Sequence, residues 1–326
     1  MKILTVGDPH WKPSNITIMP LFEKELVRVM QEQEPDVVVF LGDMLDRHEL
    51  INSDIMNQCH DFILRLRNMC EIIVLVGNHD LANNRCYLEP RHAFNMLKKV
   101  KNVTVVDNVF VHPSGVFAAM PYVPPNRFNE AVQLDTVKDC KVLFCHQEFQ
   151  GASFNGVASA VAEKYPKDFP LGISGHIHKR QILQSNFIYT GTPFQQDFGD
   201  SDEKTISLFT VDGDNIKEKR FSLCVPRRIS LRFTADEIKD WKKPEGNDLY
   251  RVVVTCQCNE WVSYRKSVHY KELMAAGVKV VPETTNVSVS GSGNKTRKNY
   301  LELLQENIEA LKDPIILEEF NSILSL

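Results

Sequence analysis

Five short apolar runs in the first two hundred residues are each followed by side chains able to bind a cation or move a proton. "KILTV" (2–6) leads to Asp8 and His10, "DVVVFL" (36–41) to Gly42-Asp43, and "EIIVLV" (71–76) to Gly77-Asn78-His79-Asp80. "KVLFC" (141–145) leads to His146, and "LGIS" (171–174) to Gly175-His176-Ile177-His178. Any one of these is as well explained by a capped turn or a polar strand end. Together they gather five of the chain's ten histidines at equivalent places, which points to a shared task. A donor set of carboxylate, amide oxygen and imidazole suits a pair of octahedral divalent cations such as Mn²⁺ or Fe²⁺ better than a thiolate zinc site. Two ions roughly 4 Å apart need one bridging carboxylate and separate terminal ligands. A glycine just ahead of a ligand lets the chain turn sharply there.

The runs that must position these residues are β-branched and apolar without alternation, as strands buried on both faces are. Between them, Phe22, Leu26, Val29 and Met30 mark one helical stripe, and Ile55, Cys59, Phe62, Leu66 and Met69 another. Strands alternating with helices imply an α/β fold, a layered sandwich of central β-sheets flanked by helices. In such sheets ligands bind beyond the carboxyl ends of the strands, where all five motifs fall. "KTISLFTVDGDNIKEKRFSL" reads as a hairpin that closes a first domain over 1–226. A small α+β capping domain is expected over 227–283, with strands in "RRISLRF", "DLYRVVVTC" and "VKVVPE" and helix near 260–276. The Gly/Ser-rich stretch 284–296 reads as a linker. The tail 297–326 reads as amphipathic helix, with Tyr300, Leu303, Leu304, Ile308 and Leu311 on one side, and needs a surface to dock on.

The 326 residues are 43% hydrophobic and 25% charged, an ordinary globular composition. A net charge of −4 gives no global signal for nucleic acid, although local basic clusters such as "RRISLR" and "KTRKN" are enough to track phosphates. No run of about 18 apolar residues or secretory leader is visible, so no membrane span and a cytoplasmic location are expected. The eight cysteines are irregularly spaced with no Cys-x-x-Cys pair, which fits reduced, buried thiols. Cys256 and Cys258 have the spacing of one strand face.

In chain order, Asp-x-His, Gly-Asp, Gly-Asn-His-Asp, a lone His and Gly-His-x-His resemble the calcineurin-like metallophosphoesterases, over residues 1–200. The resemblance implies two divalent metal ions: Asp8, His10 and His178 on the first, Asn78, His146 and His176 on the second, and Asp43 bridging. It implies that His79 is not a ligand but faces the scissile phosphate as general acid or charge stabiliser, with Asp80 orienting its ring. The reaction implied is in-line attack of an activated water on phosphorus.

Within that superfamily the chain more specifically resembles the SbcD nucleases of bacteria and phages, relatives of the eukaryotic meiotic-recombination-eleven repair nuclease. The likeness lies in the immediate Asp-x-His start, the segment "YTGTPFQQDFGD", the small unit and the tail. It implies a Mn²⁺-dependent DNA exo/endonuclease in end processing, recombination and repair (Mg²⁺ or Fe²⁺ being the other metals to expect). It also implies a homodimer whose residues 297–326 dock on an SbcC-type coiled-coil ATPase. One position departs: some members place DNA with a histidine three residues after the bridging Asp, where this chain has Asp46. His48, two residues on, is a catalytic candidate in its stead or else a solvated loop histidine. The alternative is a small-substrate phosphoesterase, a nucleotide phosphodiesterase or protein phosphatase, because the metal centre is common to all. A non-catalytic binding module would be expected to have lost ligands, and none is missing.

Overall fold

The computed structural model describes residues 1–48, 52–132, 135–154, 156–160 and 162–284. The tail expected at 297–326, and the linker before it from 285 on, lie outside these. Met1–Glu283 form one compact unit.

Lys2–Val6 (β1), Val37–Phe40 (β2), Glu71–Leu75 (β3) and Val103–Val106 (β4) pair in parallel. Phe110–Val111 (β5), Phe117–Ala119 (β6) and Val142–Cys145 (β7) begin a second sheet. A short hairpin, Ser153–Phe154 (β8) and Val157–Ala158 (β9), precedes Leu171–Ser174 (β10), Gln181–Gln184 (β11) and Phe187–Tyr189 (β12). Ile206–Asp212 (β13) and Asn215–Phe221 (β14) form the expected hairpin and return to the first sheet beside β1. The strand orders are β14-β13-β1-β2-β3-β4 and β11-β12-β10-β7-β6-β5.

Successive β1 side chains enter two different cores. Ile3 joins Val39, Leu75, Phe144 and Ile173 in the layer shared by the two sheets. Leu4 and Val6 pack in a second cluster with Phe22 and Leu26 of α1 (Met19–Gln33) and Phe62 of α2 (Ser53–Leu66). Both faces are therefore dry, which is why the strand sequences do not alternate. Asn52 caps α2, its side-chain carbonyl accepting from the amides of Asp54 and Ile55. The helix stops at Leu66, so Met69, expected on its apolar stripe, lies past the end and is 42% exposed.

Arg228–Thr234 (β15), Leu249–Cys256 (β16) and Lys279–Thr284 (β17) make a separate three-stranded sheet. Helices Cys258–Tyr264 and Val268–Ala275 accompany it, and Val252, Val254, Leu273 and Val278 share its own apolar cluster. Strand β16 alternates, burying Tyr250, Val252, Val254 and Cys256 and leaving its other face more open. The two cysteines do not share that face: Cys256 ends the strand buried, while Cys258 is exposed in the first position of the next helix, after the N-cap Gln257. All eight cysteines are unpaired. Among the described residues no helix is long and apolar enough to cross a membrane.

Candidate active site

Strands β1, β2, β3, β7 and β10 end at one edge of the sandwich, and the backbone beyond them is strained where the polar residues sit. Asp8, His10, Asp43 and His176 have φ of 22°, 48°, 47° and 76°. These are left-handed values that side-chain-bearing residues rarely adopt and that mark sites held in place by their surroundings. The holding contacts are local. His10 N–H donates to Asp43 O (3.1 Å) and Trp11 N–H to Met44 O (2.7 Å), zipping the first two loops together. His79 N–H donates to Asp43 Oδ1 at 2.8 Å. Gly77 is required there, since a Cβ on it would lie 2.2 Å from Asp43 N and 2.3 Å from Asp43 Oδ1.

The site has too many acceptors for its protons. His146 Nδ1 donates to the Leu41 carbonyl at 2.7 Å, so in the neutral ring Nε2 carries a lone pair. That lone pair meets Asn78 Oδ1 at 3.0 Å and Asp43 Oδ2 at 3.3 Å, with His176 Nδ1 at 3.2 Å. Asn78 cannot turn its amide to help, because its Nδ2 donates to Asn84 Oδ1 (3.1 Å). Asp43, His146 and His176 offer donor atoms all within 4.8 Å of one another. The other pair, His10 Nε2 and His178 Nε2, approach to 2.9 Å. Asp43 Oδ2 stands between the two groups, 3.9 Å from His10 Nε2 and 3.3 Å from His146 Nε2. Asp8 is wholly buried, 3.5 Å from His146 Nδ1, and neither of its oxygens has a hydrogen-bond partner among the described residues. An orphaned buried carboxylate amid converging lone pairs is costly unless a cation is present. The donor set thus fits divalent metal, and all seven residues expected as ligands lie at this edge.

Without metal, protons take that place. Burial pushes the Asp8 carboxyl up, and Asp43 adds to the effect. Burial would also lift Asp43, but His146, His10 and His79 pull it well below the usual carboxylate range. Burial lowers His146, yet Asp43 and then Asp8 outweigh it and raise the ring to about 9. His176 is pushed down to about 3 by burial and by His146. A bound cation must displace the proton on His146, so cation binding favours high pH. Mn²⁺ affinity of the chelator-treated protein is expected to rise between pH 6.5 and about 9, by up to about tenfold per unit for each proton displaced. Calorimetry in buffers of different ionisation heat measures that release; a pH-independent affinity would overturn it.

His79 lies beside these ligands with a side chain 33% exposed and Nε2 4.0 Å from Asp43 Oδ2. Its Nδ1 donates to the Asp46 carbonyl at 2.7 Å, and its ring stacks on His48 at 4.7 Å. The orienting role expected of Asp80 therefore falls to Asp46. The Asp80 carboxylate is turned inward, accepting from Gly77 N–H (2.9 Å) and Leu45 N–H (3.0 Å), and so braces the loops carrying Asp43 and Asn78. His48 is placed on the outer side of His79 as a stacking neighbour, its Nδ1 3.3 Å from the Leu81 carbonyl.

Further support comes from residues with no chemical motif of their own. Gln196 Nε2 donates to Pro9 O (3.1 Å), between Asp8 and His10. Buried Lys204 donates to His178 O (2.8 Å) and pairs with Asp200. Gln195 Oε1 accepts from Arg228 N–H at 2.7 Å, and its carbonyl accepts from Arg228 Nε at 3.0 Å. The first residue of β15 is thus tied directly behind the first ligand loop. "YTGTPFQQDFGD", which holds three of these partners, marked the segment in the sequence without revealing these contacts.

This fold and this centre define a class. The chain belongs to the calcineurin-like phosphoesterase family, whose family model matches residues 1–180. It is 35% identical over 326 residues to the "Putative phosphoesterase 078R" of Invertebrate iridescent virus 3, covering 96% of this chain and 93% of that protein. It is 32% identical over 278 residues to the "Putative phosphoesterase 244L" of Invertebrate iridescent virus 6, covering 82% and 98%. The protein is a metal-dependent hydrolase of phosphate esters. Divalent cations at such a site supply charge against the phosphoryl oxygens and lower the pKa of the attacking water. Among this chain's own residues, Asp43 Oδ2 faces both imidazole groups, and the His79 ring is fixed through Nδ1 with its Nε2 turned toward the same carboxylate oxygen.

Proposed function

We propose that the protein is a Mn²⁺-dependent, two-metal DNA nuclease of the SbcD type. It cuts phosphodiesters in the cytoplasm during DNA end processing, recombination and repair, as a homodimer with an SbcC-type coiled-coil ATPase bound through residues 297–326. The observation that carries this reading is the three-stranded sheet added after the phosphoesterase layers. It has its own core and is anchored through Arg228 to the segment behind Asp8 and His10. Hydrolysis of a small ester needs no such module, whereas a long polyanion needs surface beyond the metals. The sheet's open face carries Arg232 and Arg251, a residue type that holds phosphate backbones without reading sequence.

The test is hydrolysis of linear and hairpin DNA by the full chain in Mn²⁺, beside a chromogenic phosphodiester. Expected are Mn²⁺-dependent cleavage of DNA, loss with chelator, and little activity in Ca²⁺. Deleting 284–326 is expected to abolish binding of the ATPase. Turnover of the chromogenic ester with DNA left intact would instead identify a small-substrate phosphoesterase.

A further inference from the structure

We infer that Phe154 and Val157 form a stacking subsite for a nucleobase at the mouth of the metal centre. The inference rests on the nuclease reading and specifies how that substrate is held. Phe154 and Val157 are cross-strand partners in the β8–β9 hairpin, so their side chains share one face. The Phe154 ring meets the imidazole of His176 edge-on, with centroids 5.7 Å apart and planes at 84°. Tyr122, which among the described residues is the other aromatic ring beside His176 apart from His146, is buried, and its hydroxyl donates to Asn84 O. Phe154 is 38% exposed and Val157 73% exposed. A polar phosphate site thus has one apolar, aromatic margin open to solvent.

That margin is fixed in place. Ser153 N–H donates to Gln181 Oε1 (3.0 Å), and Gln181 Nε2 donates back to Ser153 O (3.2 Å). Gly151 N–H to Ser159 O and Ser159 N–H to Ala152 O, both 2.8 Å, extend the hairpin's ladder. An ester with its phosphorus at the metal ligands must lead its organic group out past one edge of the site. A nucleotide's base lies one sugar away from its phosphate and has a flat π-face suited to an exposed phenyl ring. Every base has such a face, so the contact separates base-bearing esters from bare phosphates without selecting a sequence.

The probe is 2-aminopurine, whose fluorescence is quenched on stacking, placed in a short single-stranded DNA and also supplied as the mononucleotide. It is titrated in Mn²⁺ into full-length protein carrying His79→Ser, so that binding is read without turnover. Quenching is expected with Phe154, retention with Phe154→Trp, and loss with Phe154→Leu, which keeps apolar contact with His176 but has no π-face. Phe154→Leu is expected to weaken binding of the base-bearing strand about tenfold and to leave an abasic strand's affinity equal to wild type. Quenching unchanged by Phe154→Leu, with DNA bound and with DNA cut by the protein that keeps His79, would overturn this subsite and leave the nuclease reading standing. Phe154-dependent quenching of the mononucleotide, with DNA neither bound nor cut, would keep the subsite and overturn the nuclease. Quenching of neither probe, with DNA neither bound nor cut, would overturn both.

Discussion

Asp43→Ala is expected to leave the protein folded but without phosphoester hydrolysis and with fewer divalent cations bound per chain. The two oxygens of Asp43 have separate tasks. Oδ1 accepts from His79 N–H and fixes the loop after β3. Oδ2 faces His146, His10 and His79 at 3.3, 3.9 and 4.0 Å, a carboxylate oxygen within reach of both imidazole groups. Were two cations held here, its loss would leave two sets of mostly neutral donors without the negative charge that screens neighbouring cations from each other. Several kcal/mol of transition-state stabilisation depend on such a centre, so the loss in rate is on the order of 10³-fold or more. Asp43→Asn keeps the shape and removes the charge, and it is expected to lose nearly as much. Elemental analysis of bound metal together with turnover of a chromogenic diester reads both effects. Two cations still bound, with a rate within about tenfold of wild type, would remove Asp43 from the bridging position.

The parts of this site that could be read in the sequence are those where chemistry follows directly on a buried strand. The runs before Asp8, Asp43, Asn78, His146 and His176 are apolar because both their faces are covered, and the turn after each is short. The polar residue's place in the chain therefore nearly fixes its place in space. What holds the ligands was not legible. His79 is oriented by the carbonyl of Asp46, and carbonyls are the same in every residue, so no side chain announces the contact. Asp80 follows His79 in the chain, yet its carboxylate is drawn to the amides of Gly77 and Leu45 because those buried donors need an acceptor. Gln196 reaches Pro9 across 187 positions, a distance over which a single amide leaves no pattern. Helix ends are hidden in the sequence for a similar reason. The apolar spacing of α2 continues to Met69 although its packing ends at Leu66, and Cys258 keeps strand spacing although the chain has already turned into a helix.

His79→Ser is expected to separate the chemistry of leaving-group departure from metal binding. Asp8, His10, Asp43, Asn78 and His146 are buried, whereas the His79 side chain is one-third exposed at the rim, wedged between His48 on one side and His10 at 5.1 Å on the other. With Nδ1 committed to Asp46, its free Nε2 is the atom positioned to meet a substrate oxygen. Loss of a positioned proton donor costs about 10²- to 10⁴-fold in rate, and the full range is expected with a deoxyribose alkoxide as leaving group. A nitrophenolate departs without needing a proton, so the same variant loses far less on a nitrophenyl diester. Bound metal is expected to stay at the wild-type level in both assays. Equal losses on the two esters would make His79 a stabiliser of phosphoryl charge instead of an acid, and a fall in bound metal would make it a ligand.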